Sequence, residues 1–372
     1  MEIVDTLDGA EPLLGVWDGL AVRAGLPLCA PGWMLTWWQR MAPPESELRI
    51  LALREGEQLV ALAPWFAHRG EGARRDLRFL GAELSDRVDV LCAAGREHEA
   101  AAALRSGILE LGPDLVSFEA VPEGSPWTRE LSGLRLARYE NSVIVAPTVT
   151  LPADGEGFEG WMASRSSNFR SQMRRMRRRV GERGGTVRQI VDREEIGPAL
   201  DAMLALHANR WEGRASSQLT QPGVREWLGE AAASLGPDRL RLWAVEVEGE
   251  LVSVQLFQAA GGELKYWNGG WSEQHADVKP TMLTILAAIE DAIARGERRL
   301  DLGAGTHDYK MRFADGADPL SWGGLILRNR RWPRTRAELA SRVLRFRAKR
   351  IVRSLPEPVT RRIERTARAR RS

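Results

Sequence analysis

The chain alternates between two hydrophobic periods, and the order in which they occur outlines its architecture. Residues 12 to 41 carry apolar positions at helical spacing and read as helical through "PGWMLTWWQRM". A period-2 pair follows, "LRILAL" (48–53) and "LVALAPWF" (59–66), with Gly56 in the turn between them, which is the pattern of a β-hairpin. "RFLG" and "DVL" predict more strand, "EHEAAAALRSGILELG" predicts a helix with Gly112 as its C-cap, and "LVSFEAV" (115–121) predicts a strand. The stretch "VIVAPTVTLPADGEG" (143–157) reads as the crossing into a second unit, because its prolines and glycines interrupt any regular period.

The second unit opens with "SSNFRSQMRRMRRRV" (166–180), in which Phe169, Met173, Met176 and Val180 recur at i, i+4, i+7 and i+11 as one apolar helical stripe. "TVRQIV" predicts a strand and "IGPALDAMLALHANRWEGR" a helix followed by a loop. "RLRLWAVEV", "LVSVQLFQAA" and "LKYWNGGW", joined through "EGE" and "GGE", predict an antiparallel meander. "TMLTILAAIEDAIARG" is a long amphipathic helix, "RRLDLG" a strand, and "YKMRFADG" and "WGGLILR" close the unit. The first hairpin is echoed in the second unit. Leu48/Leu240, Leu59/Leu251 and Val60/Val252 are each offset by 192, and Gly56/Gly249 by 193. Both units run helix, hairpin, helix, strand, which predicts two similar α/β modules, residues 1–147 and 148–330, followed by a tail at 331–372. A length of 372 residues suits two domains.

Charge changes this picture at the C-terminus. The net +3 hides a tail, Arg328 to Ser372, with 17 Lys+Arg against three acids, so the residues before it carry a net −11. Residues 334 to 355 place Leu339, Val343 and Phe346 on one side of a basic amphipathic helix. That pattern suits an anionic membrane surface, a partner or a nucleic-acid backbone, or a solvated cationic end. Only four lysines accompany 49 arginines, so clustering of arginines carries more information than their number. Two cysteines, outside any CxxC pair, give no disulfide framework, and the N-terminus lacks a basic leader and a long apolar run. These features lead us to expect a cytoplasmic protein, with peripheral membrane contact through the tail as the variant.

The familiar catalytic signatures are absent: there is no GxxxxGK[ST] loop, GxSxG elbow or HExxH, and the five histidines never pair at ligand spacing, so no metal is expected. Three stretches remain. The arginine helix holds six arginines between 166 and 179 with no acid, so its like charges at i,i+4 need a counter-charge from outside the helix. They face either a bound anion or the acidic body. "DVKPTMLTIL" puts Pro280 in a first helical turn, leaving the N–H groups of Thr281 and Met282 to bind an anion beside Lys279, or simply starting a helix. "DLGAGTHDYKMRF" sets Asp301 in an apolar strand, then glycines, then His307, Asp308 and Tyr309, which with Asp301 are the one cluster of proton-transfer candidates, and Lys310, the candidate for an anion contact. Trp211, Trp267 and Trp271 either line a pocket or pack a core.

Together with the tryptophan pair at 37–38, "FLG…SDRVDVL" (79–91), "LHANRW" (206–211) and "YWNGGW" (266–271), these stretches resemble, in order and spacing, the CelD/BcsL-type (BioF-like) acetyltransferases of the GNAT superfamily, relatives of the FemAB/FemX aminoacyltransferases. The resemblance runs over about residues 30 to 325. It implies tandem GNAT-like modules of mixed sheet flanked by helices, and transfer of an acyl group from acetyl-CoA or another acyl-CoA to an amine of a small-molecule or saccharide acceptor. Carried onto this sequence, it implies Asp301, Tyr309 and Lys310 at the reacting centre. Arg170, Arg174, Arg175, Lys279, Thr281 and Met282 would hold the cofactor, and Arg210, Trp211, Trp267 and His307 the acceptor. Lys279-Pro280-Thr281 departs from the Ser-Pro-Gly entry usual in the family. The FemX branch implies an alternative donor, aminoacyl-tRNA, with the arginine tail on its phosphates.

Overall fold

The computed structural model describes residues 1–56, 58–70, 73–152, 157–211 and 217–354; the side chains of Trp211, Arg342 and residues 345–354 lie outside them. The first unit supplies β1 (Glu2–Val4), β2 (Glu47–Glu55), β3 (Gln58–Arg69), β4 (Arg75–Phe79), β5 (Leu91–Cys92), β6 (Leu115–Pro122) and β7 (Leu136–Thr150). The second supplies β8 (Thr186–Ile190), β9 (Leu240–Val247), β10 (Glu250–Ala260), β11 (Glu263–Trp271), β12 (Arg299–Asp301) and β13 (Gly316–Leu327).

The two hairpins match to the residue. Leu48 faces Phe66 in β2–β3 and Leu240 faces Gln258 in β9–β10, each position moved by the same 192. Each hairpin also skips one residue. Ala61 and Leu59 pair with Leu53 and Arg54, bypassing Val60; Ser253 and Leu251 pair with Val245 and Glu246, bypassing Val252. A β-bulge is a specific local feature, and its recurrence at equivalent valines marks the units as two versions of one module.

Each module ends in a parallel strand pair joined by a helix: β4 with β6 across Glu97–Leu111, and β11 with β12 across Pro280–Ala294. The halves then exchange their last strands. β7 leaves the first unit and inserts between β12 and β13, while β13 leaves the second and inserts between β6 and β7. The result is one 13-stranded mixed sheet in the order β1-β2-β3-β4-β6-β13-β7-β12-β11-β10-β9-β8, with β5 on β3. The tandem α/β architecture expected from the sequence is present. The stretch 143–157, read as a crossing, instead begins inside the central strand β7. Pro147 is tolerated there because the chain opposite, at Leu302, has already left β12 and donates its N–H to the Pro147 carbonyl.

Packing follows the apolar stripes. Phe169, Met173, Met176 and Val180 of the helix Ser167–Glu182 are buried, in one cluster with Leu283, Leu286 and Ile289 of the helix Pro280–Ala294. The helix Val224–Arg239, unread in the sequence, packs on Pro31–Met41, with Trp33 and Trp227 centroids 4.3 Å apart. The tail begins as the helix Trp332–Ser354. Leu339 is covered by Leu115 and Ile326, and Glu338 pairs with Arg74, so this part of the apolar side is taken up by the protein itself. Phe346 and everything past residue 354 fall outside the described residues. Among those described, no helix is long and apolar enough to cross a membrane.

The helix Arg193–Trp211 lies so close on β11 that a Cβ at Gly270 would stand 2.3 Å from Met203 O and 2.7 Å from His207 N. Both are helix backbone and cannot move independently. Gly270→Ala is therefore expected to destabilise the fold by about 1–3 kcal/mol, read as a lowered denaturation midpoint.

Candidate active site

β11 and β12 run side by side for three residue pairs, Glu263/Arg299 to Lys265/Asp301. β12 then stops. Gly303 and Gly305, at φ 78° and 98°, turn its chain away, while β11 continues along β10 past a bulge at Trp267. The strands thereby splay and open a cleft of about 1140 Å³. Its walls come from β11 (Tyr266 to Gly269), the loop and short helix 303–312, the start of the helix Pro280–Ala294, and His207 and Arg210 of the helix Arg193–Trp211; Arg78, Glu83, Asp86 and Glu119 close it from the first module.

A buried charge network lies beneath the opening. Lys265 Nζ is 2.6 Å from Asp86 Oδ1 and 3.1 Å from Asp301 Oδ1. Arg87 Nη1 is 2.6 Å from Asp318 Oδ2 and 3.4 Å from Asp301 Oδ2, and Arg299 also pairs with Asp318. Asp301 additionally accepts the Gly303 N–H at 2.7 Å. Burial pushes the Asp301 pKa up, but the charges of Lys265 and Arg87 outweigh it and hold the carboxyl below its ordinary range. With both oxygens engaged, Asp301 is a fixed anion that shapes the loop. Lys265, the counter-charge, stays protonated because Asp301 and Asp86 overcome its desolvation.

Lys310, the expected anion contact, and the other proton-transfer candidates stand above this network, and the Lys310 ammonium is taken up by backbone carbonyls. Lys310 is buried, and its Nζ donates to Gly303 O at 3.2 Å and Ala304 O at 3.1 Å; burial, then the Lys265 charge, lowers its pKa to about 8. Tyr309 bonds to Tyr266, whose hydroxyl donates to Gln255 Oε1 at 2.8 Å. Burial raises the pKa of Tyr309, so it remains a phenol at neutral pH. The exposed His307 ring stacks on Tyr309, centroids 6.0 Å apart.

The arginine helix divides its charges. Arg177 reaches Glu290, Arg178 reaches Glu182, and Arg179 donates to Asp277 O, so the body and the helix end supply part of the counter-charge. Arg170 turns away from the cleft and binds the carbonyls of Ala163 and Arg165. Arg174 is exposed and does not line the cleft either. Arg175 is also exposed and outside the cleft lining, but its charge reaches Lys279, whose pKa is lowered by burial and then by the charges of Arg312 and Arg175. Among the described residues no carboxylate pairs with any of these three cations; Arg312 is held only by the Gln172 side-chain oxygen. Of the two N–H groups expected free at the helix start, Met282 donates to Lys279 O at 2.9 Å, and its side chain lies in the core, which leaves Thr281.

The acceptor candidates separate as well. Arg210 lies over the Trp271 ring at 4.8 Å and lines the cleft. Trp267 also lines it, but its indole donates to Leu84 O at 2.6 Å and its ring packs on Trp33 and Trp227. The Trp211 side chain lies outside the described residues. Sequence reasoning passed over Arg312, His207, Ser217 and Lys265. For Lys265 there was a signal: a lone cation in an apolar strand, matching lone Asp301 in another.

Asp301→Asn leaves Lys265 with Asp86 and Arg87 with Asp318 but removes the carboxylate between them, and is expected to destabilise the fold by about 1–3 kcal/mol in urea titrations. Because the folded carboxyl is depressed, its contribution is complete above the unfolded carboxyl's range and is lost as pH falls through the folded value. The parent should lose this increment on acidification and the variant should not.

Residues 167–311 match the model of the family described as "Acetyltransferase (GNAT) domain". No curated protein sequence matches the chain. Among solved structures, FemX superposes with a TM-score of 0.62 at 13% identity, covering 88% of this chain and 98% of that one. A conserved protein of unknown function from Bacteroides thetaiotaomicron gives 0.58 at 10% identity, covering 87% and 99%. The C-terminal (DUF2156) domain of a protein from Agrobacterium fabrum, provisionally described as a lysylphosphatidylglycerol synthetase, gives 0.53 at 10% identity, covering 85% and 91%. These likenesses extend over the whole tandem fold, whereas the family match falls on the half that holds the cleft. Residues 167–311 are thus similar to a GNAT acetyltransferase domain, and that match supports an acyltransferase enzyme.

Proposed function

We propose that the protein transfers an acetyl or other acyl group from acyl-CoA to an amine of a small-molecule or saccharide acceptor, as in the CelD/BcsL-type enzymes. The observation that carries this reading is the group Lys279, Arg312 and Arg175 at the start of the helix Pro280–Ala294. Most arginines of the neighbouring helix find a carboxylate or a carbonyl; these three cations instead repel one another beside a free Thr281 N–H. Such a cluster favours a bound polyanion, and the helix N-terminus adds to its field. Lys279 is itself held at φ 46°, a left-handed conformation uncommon for lysine, at the turn that aims it.

From this anchor the donor's pantetheine arm runs into the gap between β11 and β12, placing the thioester beside Tyr266, Tyr309 and Lys310. Tyr309, kept as a phenol by burial, supplies a proton to the departing thiolate. Lys310 braces the turn at Gly303 and Ala304 that forms one wall. Arg210 and His307, at the other end, face the acceptor.

Titration calorimetry with acetyl-CoA tests this reading. Lys279→Ala and Arg312→Ala are each expected to weaken binding about tenfold, equivalent to about 1.4 kcal/mol, and Arg174→Ala to leave it unchanged. Binding of aminoacyl-tRNA in place of acetyl-CoA would favour the FemX-type donor instead.

A further inference from the structure

Two polar side chains in the cleft play no part in the scheme above. His207 is buried on the helix Arg193–Trp211, and Ser217 begins the next described segment; both line the cleft. His207 Nδ1 stands 3.2 Å from Gly269 O on β11. A carbonyl only accepts, so the ring proton resides on Nδ1 and Nε2 keeps its lone pair. Nε2 in turn is 2.8 Å from Ser217 Oγ, which makes the serine hydroxyl the donor. The Leu219 N–H, 3.2 Å from the same oxygen, fixes its position. A carbonyl, an imidazole and a hydroxyl thus form an oriented chain whose outer end is at the cleft wall.

The groups around this chain keep the imidazole neutral. Burial lowers the His207 pKa below its ordinary value, with the Gly269 carbonyl opposing and the Arg210 charge assisting. Of the titratable groups that share this end of the cleft, Arg210 is on the same helix, Tyr266 is on β11, and His307 and Tyr309 are on the facing wall. Glu273 approaches Arg210 at 4.0 Å.

We propose that Ser217 and His207 form the proton relay that accepts the acceptor amine's proton, an inference that rests on the acyl-transfer reading. The acceptor arrives as an ammonium ion. One N–H proton passes to Ser217 Oγ while the Oγ–H proton passes to His207 Nε2, and the freed lone pair attacks the thioester carbon to form the C–N bond. The C–S bond breaks with its electron pair on sulfur, which takes the Tyr309 proton. The phenolate takes the second N–H proton of the attacking nitrogen, and the imidazolium returns its proton to solvent. The sum is ammonium plus thioester giving amide, thiol and one proton released to solvent.

The relay predicts a split between nucleophiles, because ethanolamine is an ammonium ion at neutral pH and must be deprotonated, whereas hydroxylamine is already a free base. With thiol release from acetyl-CoA as the readout, His207→Gln should lower kcat for ethanolamine about 10²–10⁴-fold while hydroxylamine turnover changes less than about tenfold. The acetyl-CoA dissociation constant should stay at the parent value. In the parent, kcat should fall as pH drops through a value below His207's ordinary pKa, and this limb should vanish in the variant. Ser217→Ala, which leaves the imidazole in place, should show the same split. Equal losses with both nucleophiles, or no loss with either, in variants that keep the parent melting temperature would overturn the relay. A parent protein that neither binds acetyl-CoA nor releases its thiol would count against the acyl-transfer reading itself.

Discussion

Lys265 meets Asp301 at the last place where β11 and β12 still run together, and the cleft depends on that contact. Parallel strands that part company lose their ladder bonds, and something else must fix the angle at which they separate. Here an ammonium and a carboxylate, both almost fully buried, do so across the fork. Removing two charges from water costs several kcal/mol per ion, which is recovered only when the surrounding partners are complete. Asp86, Arg87, Asp318 and the Gly303 N–H supply most of them. The network is therefore a poor source of raw stability and a strong source of geometry, because few other arrangements of the fork bring these opposite charges together.

The same network explains why both modules are needed. Asp86 and Arg87 come from the loop after β4, in the first module, yet their partners are on β11, β12 and β13. The exchange of β7 and β13 makes one sheet of the two halves, and the charge cluster locks a loop of the first half under the opening in the second. Trp267 adds to the seam by donating to Leu84 O. The first module repeats the hairpin and the parallel pair of the second, but here it serves as a wall of the cleft, contributing Arg78, Glu83 and Glu119.

Much of this was legible in the sequence where a local rule applied. The 192-residue echo carried through to matching register and matching bulges, because period-2 patterning and turn length fix a hairpin locally. The stripe Phe169, Met173, Met176, Val180 was likewise buried as its spacing required. The strand β7 was not legible, since a central position shared by two modules is set by partners far away in sequence, and Pro147 and its neighbours read as a break. The division of arginines between structural pairing and the cleft was hidden for the same reason: Glu290, Asp277 and Gln172 are distant in sequence from Arg177, Arg179 and Arg312. Asp301 was found by its oddity in an apolar strand, but its tie to Lys265 required the fold. His207 looked like any helical histidine until Gly269 and Ser217 were placed beside it.

The claim on which this account turns is that the fork between β11 and β12 is the seat of an acyl-CoA. Amide hydrogen exchange, followed by mass spectrometry with and without acetyl-CoA, reads this directly. The account predicts slowed exchange confined to three segments, around 266–271, 279–284 and 303–312, with the outer strands β1 and β2 unchanged. Protection that falls elsewhere, or none at saturating acetyl-CoA, would contradict it.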